Sequence, residues 1–269
     1  MSKKAIPILA LIVLLGSGAA WYWWARIVPA PAPPPPVTAP PPAETAPPIT
    51  HPMPAAAATA SPQLPALADS DTPFHAALVA LPGAGTLENF LRPENLIRRV
   101  VVTVDNLPRH KLAVEQRPLK ATSGTLLVRG GDLEATLDEH NAARYAPLVA
   151  ILAHLDMRAV SAVYQHYYPL FQQAYQDLGY PQGYFNDRLV AVIDELLATP
   201  HPAAPIALVR PKVFWEFADP ELEARSAGQK LLMRIGSENA GVVTGKLREL
   251  RALVATGSGG TAARPTLNP

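Results

Sequence analysis

Beyond residue 66, apolar positions recur mostly at helical spacing. Leu96, Ile97, Val100, Val101, Val104 and Leu107 follow a 3.6-residue period behind Pro93-Glu94 and stop at Pro108, which predicts a helix. On that helix Arg98, Arg99 and Asp105 fall on the side expected to face solvent. Asp71-Thr72-Pro73 reads as an earlier helix start, with proline at the first helical position. A third helix is predicted around Ala146 to Leu155. Asp156 is placed to cap the next, Met157 to Leu178, which closes on Gly179 and should kink at Pro169. Leu189, Val190, Ile193, Leu196 and Leu197 mark another amphipathic helix. Asp219-Pro220 and Ser226 each start a short helix, and Ser237 is placed to cap a last one bearing Val242, Val243, Leu247, Leu250 and Leu253.

The period changes in two places. Leu126-Leu127-Val128 and Leu133 to Leu137 flank Gly130-Gly131-Asp132, the pattern of a β-hairpin. Two short strands are predicted near Ile206 to Val209 and Val213 to Phe217. The fold class expected is mainly α: one helix-rich globular domain over 66–256 with minor β-hairpins, and a disordered tail over 257–269.

Residues before 66 have a different character. Lys3 and Lys4 precede an uncharged run from Ala5 to Ala25 that ends in Trp21-Tyr22-Trp23-Trp24, before Arg26. As a helix this run spans roughly 31 Å, enough for the hydrocarbon core of a bilayer. The lysines and the aromatic belt predict a single transmembrane helix over 5–25, with residues 1–4 cytoplasmic and the rest on the far side. Gly18-Ala19-Ala20 would also suit signal-peptide cleavage, but the four large aromatics that follow favour an uncleaved anchor. Of 31 prolines, 15 lie between Val28 and Pro65. Residues 26–65 therefore read as a proline-rich, disordered linker, semi-rigid and reaching on the order of 100 Å.

Composition narrows the chemistry. The chain has no cysteine, which excludes disulfides, thiol catalysis and cysteine metal sites. No basic face stands out in a near-neutral domain, so nucleic acid is not an expected partner. No phosphate loop, nucleophile elbow, dinucleotide fingerprint or His-x-x-x-His occurs, and no cofactor or metal is predicted. Asp194 and Glu195 are adjacent, so they point about 100° apart on a helix and form no acid/base pair. Ser226 and Lys230 read as a cap and a solvated helix residue.

Tyr164, Tyr168, Phe171 and Tyr175 share one helical face, which reads first as a core stripe and second as an aromatic groove for a peptide or glycan. The sharpest local string runs from Gly179 to Arg188. Its glycines and proline set a loop of fixed shape, and Asn186, Asp187 and Arg188 stand at a helix start. There Asn186 or Asp187 would cap the helix and Arg188 would pair with a carboxylate. With Tyr180 and Tyr184, the same three residues form the candidate partner or ligand surface.

The strings Leu178-Gly-Tyr-Pro-Gln-Gly-Tyr-Phe-Asn-Asp-Arg-Leu189, Arg210-Pro-Lys-Val213, Ala218-Asp-Pro-Glu-Leu222, Ser226-Ala-Gly-Gln-Lys-Leu231 and Gly236-Ser-Glu-Asn239 carry a resemblance. The chain resembles, over 67–254, a family of bacterial membrane-anchored proteins whose shared domain has no assigned function. The resemblance implies a single N-terminal span and a proline-rich tether, and brings no reaction, cofactor or catalytic residues. Together with the anchor, it makes the expected function that of a periplasm-facing binding or scaffolding module of the cell envelope. An envelope protein, a glycan or a second copy of the chain would be its partner. The alternative expectation is an enzyme acting on envelope polymers near the Tyr180–Arg188 loop.

Overall fold

Helices α1 (Asp71–Val79), α2 (Leu96–Asn106), α4 (Met157–Asp177), α5 (Phe185–Leu197) and α8 (Ser237–Val254) build the core of the computed structural model. α3 (Ala146–His154) packs on α8, and α6 (Pro220–Glu223) and α7 (Ala227–Arg234) lead into it. The structure describes residues 48–53, 64–112 and 114–255. The expected transmembrane helix and tail, and most of the expected linker, lie outside the described residues. The chain divides into two compact units, 1–45 and 46–269, and every described residue belongs to the second.

The fold is mainly α, as the periodicity predicts. Leu96, Ile97 and Val101 on α2 are almost wholly buried, with Phe185, Val190 and Ile193 on α5. The aromatic stripe of α4 faces inward: Tyr164, Phe171 and Tyr175 are buried and Tyr168 is half-buried, so the core-stripe reading holds and the groove does not form. Phe171 stacks on Phe185 at 5.6 Å and meets Phe74 of α1 edge-on at the same separation. Such ring pairs add about 1 kcal/mol each beyond the area they bury. α4 runs unbroken through Pro169, and Asp156 caps it by accepting from the Arg158 N–H at 2.8 Å.

The strands β1 (Val128–Gly130), β2 (Glu134–Leu137), β3 (Ala207–Val209) and β4 (Glu216–Phe217) form one antiparallel sheet in chain order. The two predicted hairpins are thus joined, because Ala135 pairs with Leu208 and Thr136 with Ala207. One face buries Leu208 and Phe217 against Met233 of α7, a small second core. Two glycines permit close approaches. Gly83, at φ +84°, would place a Cβ 1.9 Å from the His154 carbonyl oxygen, and a Cβ on Gly228 would lie 2.5 Å from Leu196 Cδ2.

Three local expectations are corrected. Asp105 is buried at 2% exposure, because it sits one turn beyond the buried Val101 on the same face of α2. Lys230 is held by Glu223 at 2.6 Å with its side chain only 13% exposed, in place of a solvated position. Ser237 is the first residue of α8 and gives no cap; Gly236, at φ +87°, stands before it. The Asp219 and Ser226 caps form as predicted.

Candidate functional site

The candidate residues of the Tyr180–Arg188 loop come together, and the side chains of Tyr180, Asn186, Asp187 and Arg188 are engaged by their own chain. Gly179, at φ +116°, ends α4, and Tyr180 folds back to stack on Tyr175 at 4.6 Å. Gln172 of α4 then fixes the return. Its Nε2 donates to the Gly183 carbonyl at 2.7 Å, and its Oε1 accepts the Phe185 N–H at 2.9 Å. That amide is one of the free donors at the start of α5, so Gln172 does part of the work expected of Asn186 or Asp187. Tyr184 holds the N-cap position without a side-chain cap bond and is half-buried.

Asn186 and Asp187 serve a different purpose. The Asn186 side chain is fully buried and donates from Nδ2 to the carbonyls of His51 at 2.8 Å and Val254 at 2.9 Å. Its Oδ1 accepts from the Tyr164 hydroxyl at 3.2 Å, and burial pushes that phenol well above its ordinary pKa, so it stays a donor. Asp187 accepts the N–H of Thr50 at 3.0 Å and of His51 at 2.6 Å. Within the stretch read as linker, residues 48–53 are therefore seated on the start of α5, and Met53 packs against the main core.

Arg188 does pair with a carboxylate, that of Asp105. Its Nε reaches Oδ1 at 3.1 Å and its Nη2 the Asp105 carbonyl at 2.7 Å. Arg109 donates to Oδ2 at 2.6 Å, and Tyr180 donates its hydroxyl to the same oxygen at 3.3 Å. The bond to Asp105 raises the Arg109 pKa above its ordinary value. One buried carboxylate thus gathers two guanidinium groups and a phenol in a satisfied network.

A second polar region was not foreseen. Between the segment before β1, the β3–β4 turn and α7 lies a concavity of about 700 Å³, lined by Arg117, Arg144, Arg210 and Arg234 and by no aspartate or glutamate. Among the described residues, none of the four arginines forms an ion pair with a carboxylate; their contacts are with carbonyls, a side-chain amide, a hydroxyl and rings. Arg144 donates to Ser123 O at 3.1 Å, Gly124 O at 2.8 Å and Asn141 Oδ1 at 2.9 Å. Asn141, fully buried, also donates to the Arg234 carbonyl at 2.8 Å and accepts the Leu127 N–H, so one amide ties three walls together.

Arg210 gives only its Nε, to Val213 O at 3.1 Å, and lies 5.8 Å over the Trp215 ring. Arg117 gives its Nε to Val114 O at 3.2 Å. Arg234 donates to Trp215 O at 3.1 Å and covers Phe217 at 5.0 Å, while its Nε is buried without a hydrogen-bond partner. Burial lowers the Arg234 pKa, against the pull of Glu223 and Glu216. Phe214 and Val213 stand at the rim, 79% and 67% exposed. The string Arg210-Pro-Lys-Val-Phe-Trp215, cations beside an aromatic run at a turn, was the available signal. The arginines that complete the site come from distant segments.

Another concavity, of about 520 Å³, opens beside the start of α8, with Asp138, Glu139, His201 and Glu238 in its walls. Among the described residues, no group of three or more histidine, aspartate or glutamate side chains is gathered as a metal ion would need. Nor is any single helix among them long and apolar enough to cross a membrane.

Comparison with curated proteins finds no match, and comparison with solved structures finds none. Residues 96–251, from α2 to the last turn of α8, match the family model described as a protein of unknown function (DUF3014), and the chain belongs to that family.

Proposed function

We propose that this protein is a membrane-anchored, periplasm-facing module of the bacterial cell envelope that binds or scaffolds a partner. The observation that carries the reading is the seat of Thr50 and His51 on Asp187 and Asn186. The proline-rich stretch is fastened to the start of a core helix, which sets the face the domain presents at the end of its tether. The apolar run over 5–25 supplies the anchor and the prolines the reach. An enzyme working at the Tyr180–Arg188 loop has less support, since Tyr180, Asn186, Asp187 and Arg188 are all held in internal bonds.

The test is made in cells on the full chain. Protease added to spheroplasts should remove the domain while residues 1–4 stay protected. In-cell crosslinking should enrich one envelope protein reproducibly. Deleting residues 29–46 should abolish that crosslink and leave the domain folded. Unchanged crosslinking by the shortened chain would remove reach from the tether's role, and a domain protected from the protease would overturn its placement.

A further inference from the structure

We propose that the arginine-lined concavity is a binding site for an acidic, extended peptide segment, whose carboxylates pair with Arg117, Arg210 and Arg234 and whose apolar side chains cover Trp215 and Phe214. This gives the partner's chemistry and rests on the binding-module reading above. Three observations converge on it. The first is charge: four guanidinium groups line about 700 Å³ with no carboxylate among them. Elsewhere in the described chain, Arg92, Arg98, Arg109, Arg129, Arg188 and Arg251 pair with acids, and the arginines that do not, Arg99, Arg158, Arg225 and Arg248, line no shared recess with the four. Positive charge concentrated in a low-dielectric recess draws anions and raises their local concentration.

The second is valence. A guanidinium has five N–H donors in a planar fork. Arg210 and Arg117 each use one on a neighbouring carbonyl, and the remaining donors form the planar edge that a carboxylate fits bidentately. Arg234 adds a guanidinium in the wall of the recess that gives one donor to the Trp215 carbonyl and whose buried Nε has no partner. Glu223 does not fill that partner's role, since it is bound to Lys230 Nζ and the Phe217 N–H.

The third is the surface between the charges. Trp215, Tyr145, Leu126 and Leu231 line the recess, and Phe214 and Val213 extend it outward. Aromatic residues with arginine are the composition of a protein-recognition core. A single phosphate would leave that apolar surface uncovered. The donors come from four separate segments, which suits a ligand with several carboxylates along its length. Both β1 and β4 are sheet edges, and the chain before β1 runs along the cavity wall, so the recess adjoins backbone open to an extended partner.

The experiment uses the full chain in detergent and a fluorescein-labelled hexapeptide alternating glutamate with leucine, blocked at both ends, read by anisotropy. Saturable binding is expected, weakening steeply as salt rises. The same peptide with lysine for glutamate should not bind. Arg117→Glu with Arg210→Glu should weaken binding at least tenfold, with the thermal midpoint within a few degrees of the parent. Arg117→Lys with Arg210→Lys, which keeps charge and loses the fork, should fall between. Absence of saturation, equal binding of the lysine peptide, or full affinity in the glutamate variant would overturn the proposal. So would inorganic phosphate or phosphatidylglycerol vesicles occupying the site and displacing the peptide at lower concentration. Failure here leaves the spheroplast and tether results untouched, so the two readings fall separately.

Discussion

The Asp105–Asn186–Asp187 cluster and the arginine concavity are both polar, and both draw side chains from distant parts of the chain. They differ in completion. Around Asp105 a buried carboxylate receives two guanidinium groups and a phenol, and beside it the Asn186 amide uses both its donor and its acceptor. In the concavity, four cations face a recess without a carboxylate, and the unpartnered Arg234 Nε there has a counterpart in His51 Nδ1 beside Asn186. A satisfied buried network fixes a unique packing, while an incomplete one is poised to be completed by something else. In the loop read from sequence as the ligand surface, Tyr180, Asn186, Asp187 and Arg188 are held by internal bonds. The region that was not foreseen has the unmet valence.

Substitutions in the two regions should therefore behave oppositely. The largest effect is expected for Asp105→Ala, which leaves Arg188 and Arg109 without their shared anion. Breaking one partner out of a buried pair costs about 3–5 kcal/mol, and the half-exposed Arg109 puts this case near the lower end. Chemical denaturation should show it as a lowered midpoint with unchanged slope. Asn186→Ala comes next, at about 2–3 kcal/mol, since it strands the buried Tyr164 hydroxyl and the Val254 carbonyl. Asp187→Ala should cost about 1 kcal/mol. Its clearer mark is hydrogen exchange, with protection lost at Thr50 and His51 while the α5 amides keep theirs.

In the concavity, Arg117→Ala with Arg210→Ala should change stability by less than about 0.5 kcal/mol, as at surface sites without structural partners. A drop as large as that of Asp105→Ala would erase the distinction between the regions. The smallest effect concerns the Asp194–Arg251 pair. The hydrogen bond from Arg251, first, and its charge hold the Asp194 pKa below the ordinary carboxylate value, against burial. A depressed folded-state pKa means the contribution is present above about pH 4, the unfolded value, and is lost as pH falls through the folded one. With both side chains over a third exposed, it should amount to a few tenths of a kcal/mol. Melting of Asp194→Asn against the parent should show a small difference at pH 7 that vanishes near pH 2.

Most of the helical fold was legible because its signals are local. Leu96 to Leu107 and Leu189 to Leu197 show their buried face by spacing, and Asp156, Asp219 and Ser226 sit where caps belong and act as caps. The misreadings arise where a local rule competes with a distant partner. Asn186 and Asp187 look like caps, yet they bind residues 135 to 137 positions earlier in the chain. Asp105 looks like a polar position on an exposed face, until Arg188 and Tyr180 arrive from 83 and 75 residues away. The concavity was illegible for the same reason. Nothing in sequence brings Arg117, Arg144, Arg210 and Arg234 together; the joining of β2 to β3 and the Asn141 amide do.

The two hydrogens of the Asn186 amide have a topological consequence. One holds the carbonyl of His51 and the other that of Val254, so those two oxygens lie within about 6 Å of each other. The described chain enters and leaves the domain at one place. A short glycine-serine bridge from residue 255 to residue 48 would close it into a ring, and the exposed Gly131 turn offers a point for new ends. The same geometry suits the domain for insertion into a surface loop of a host protein, since a host need supply only one small gap to receive both ends.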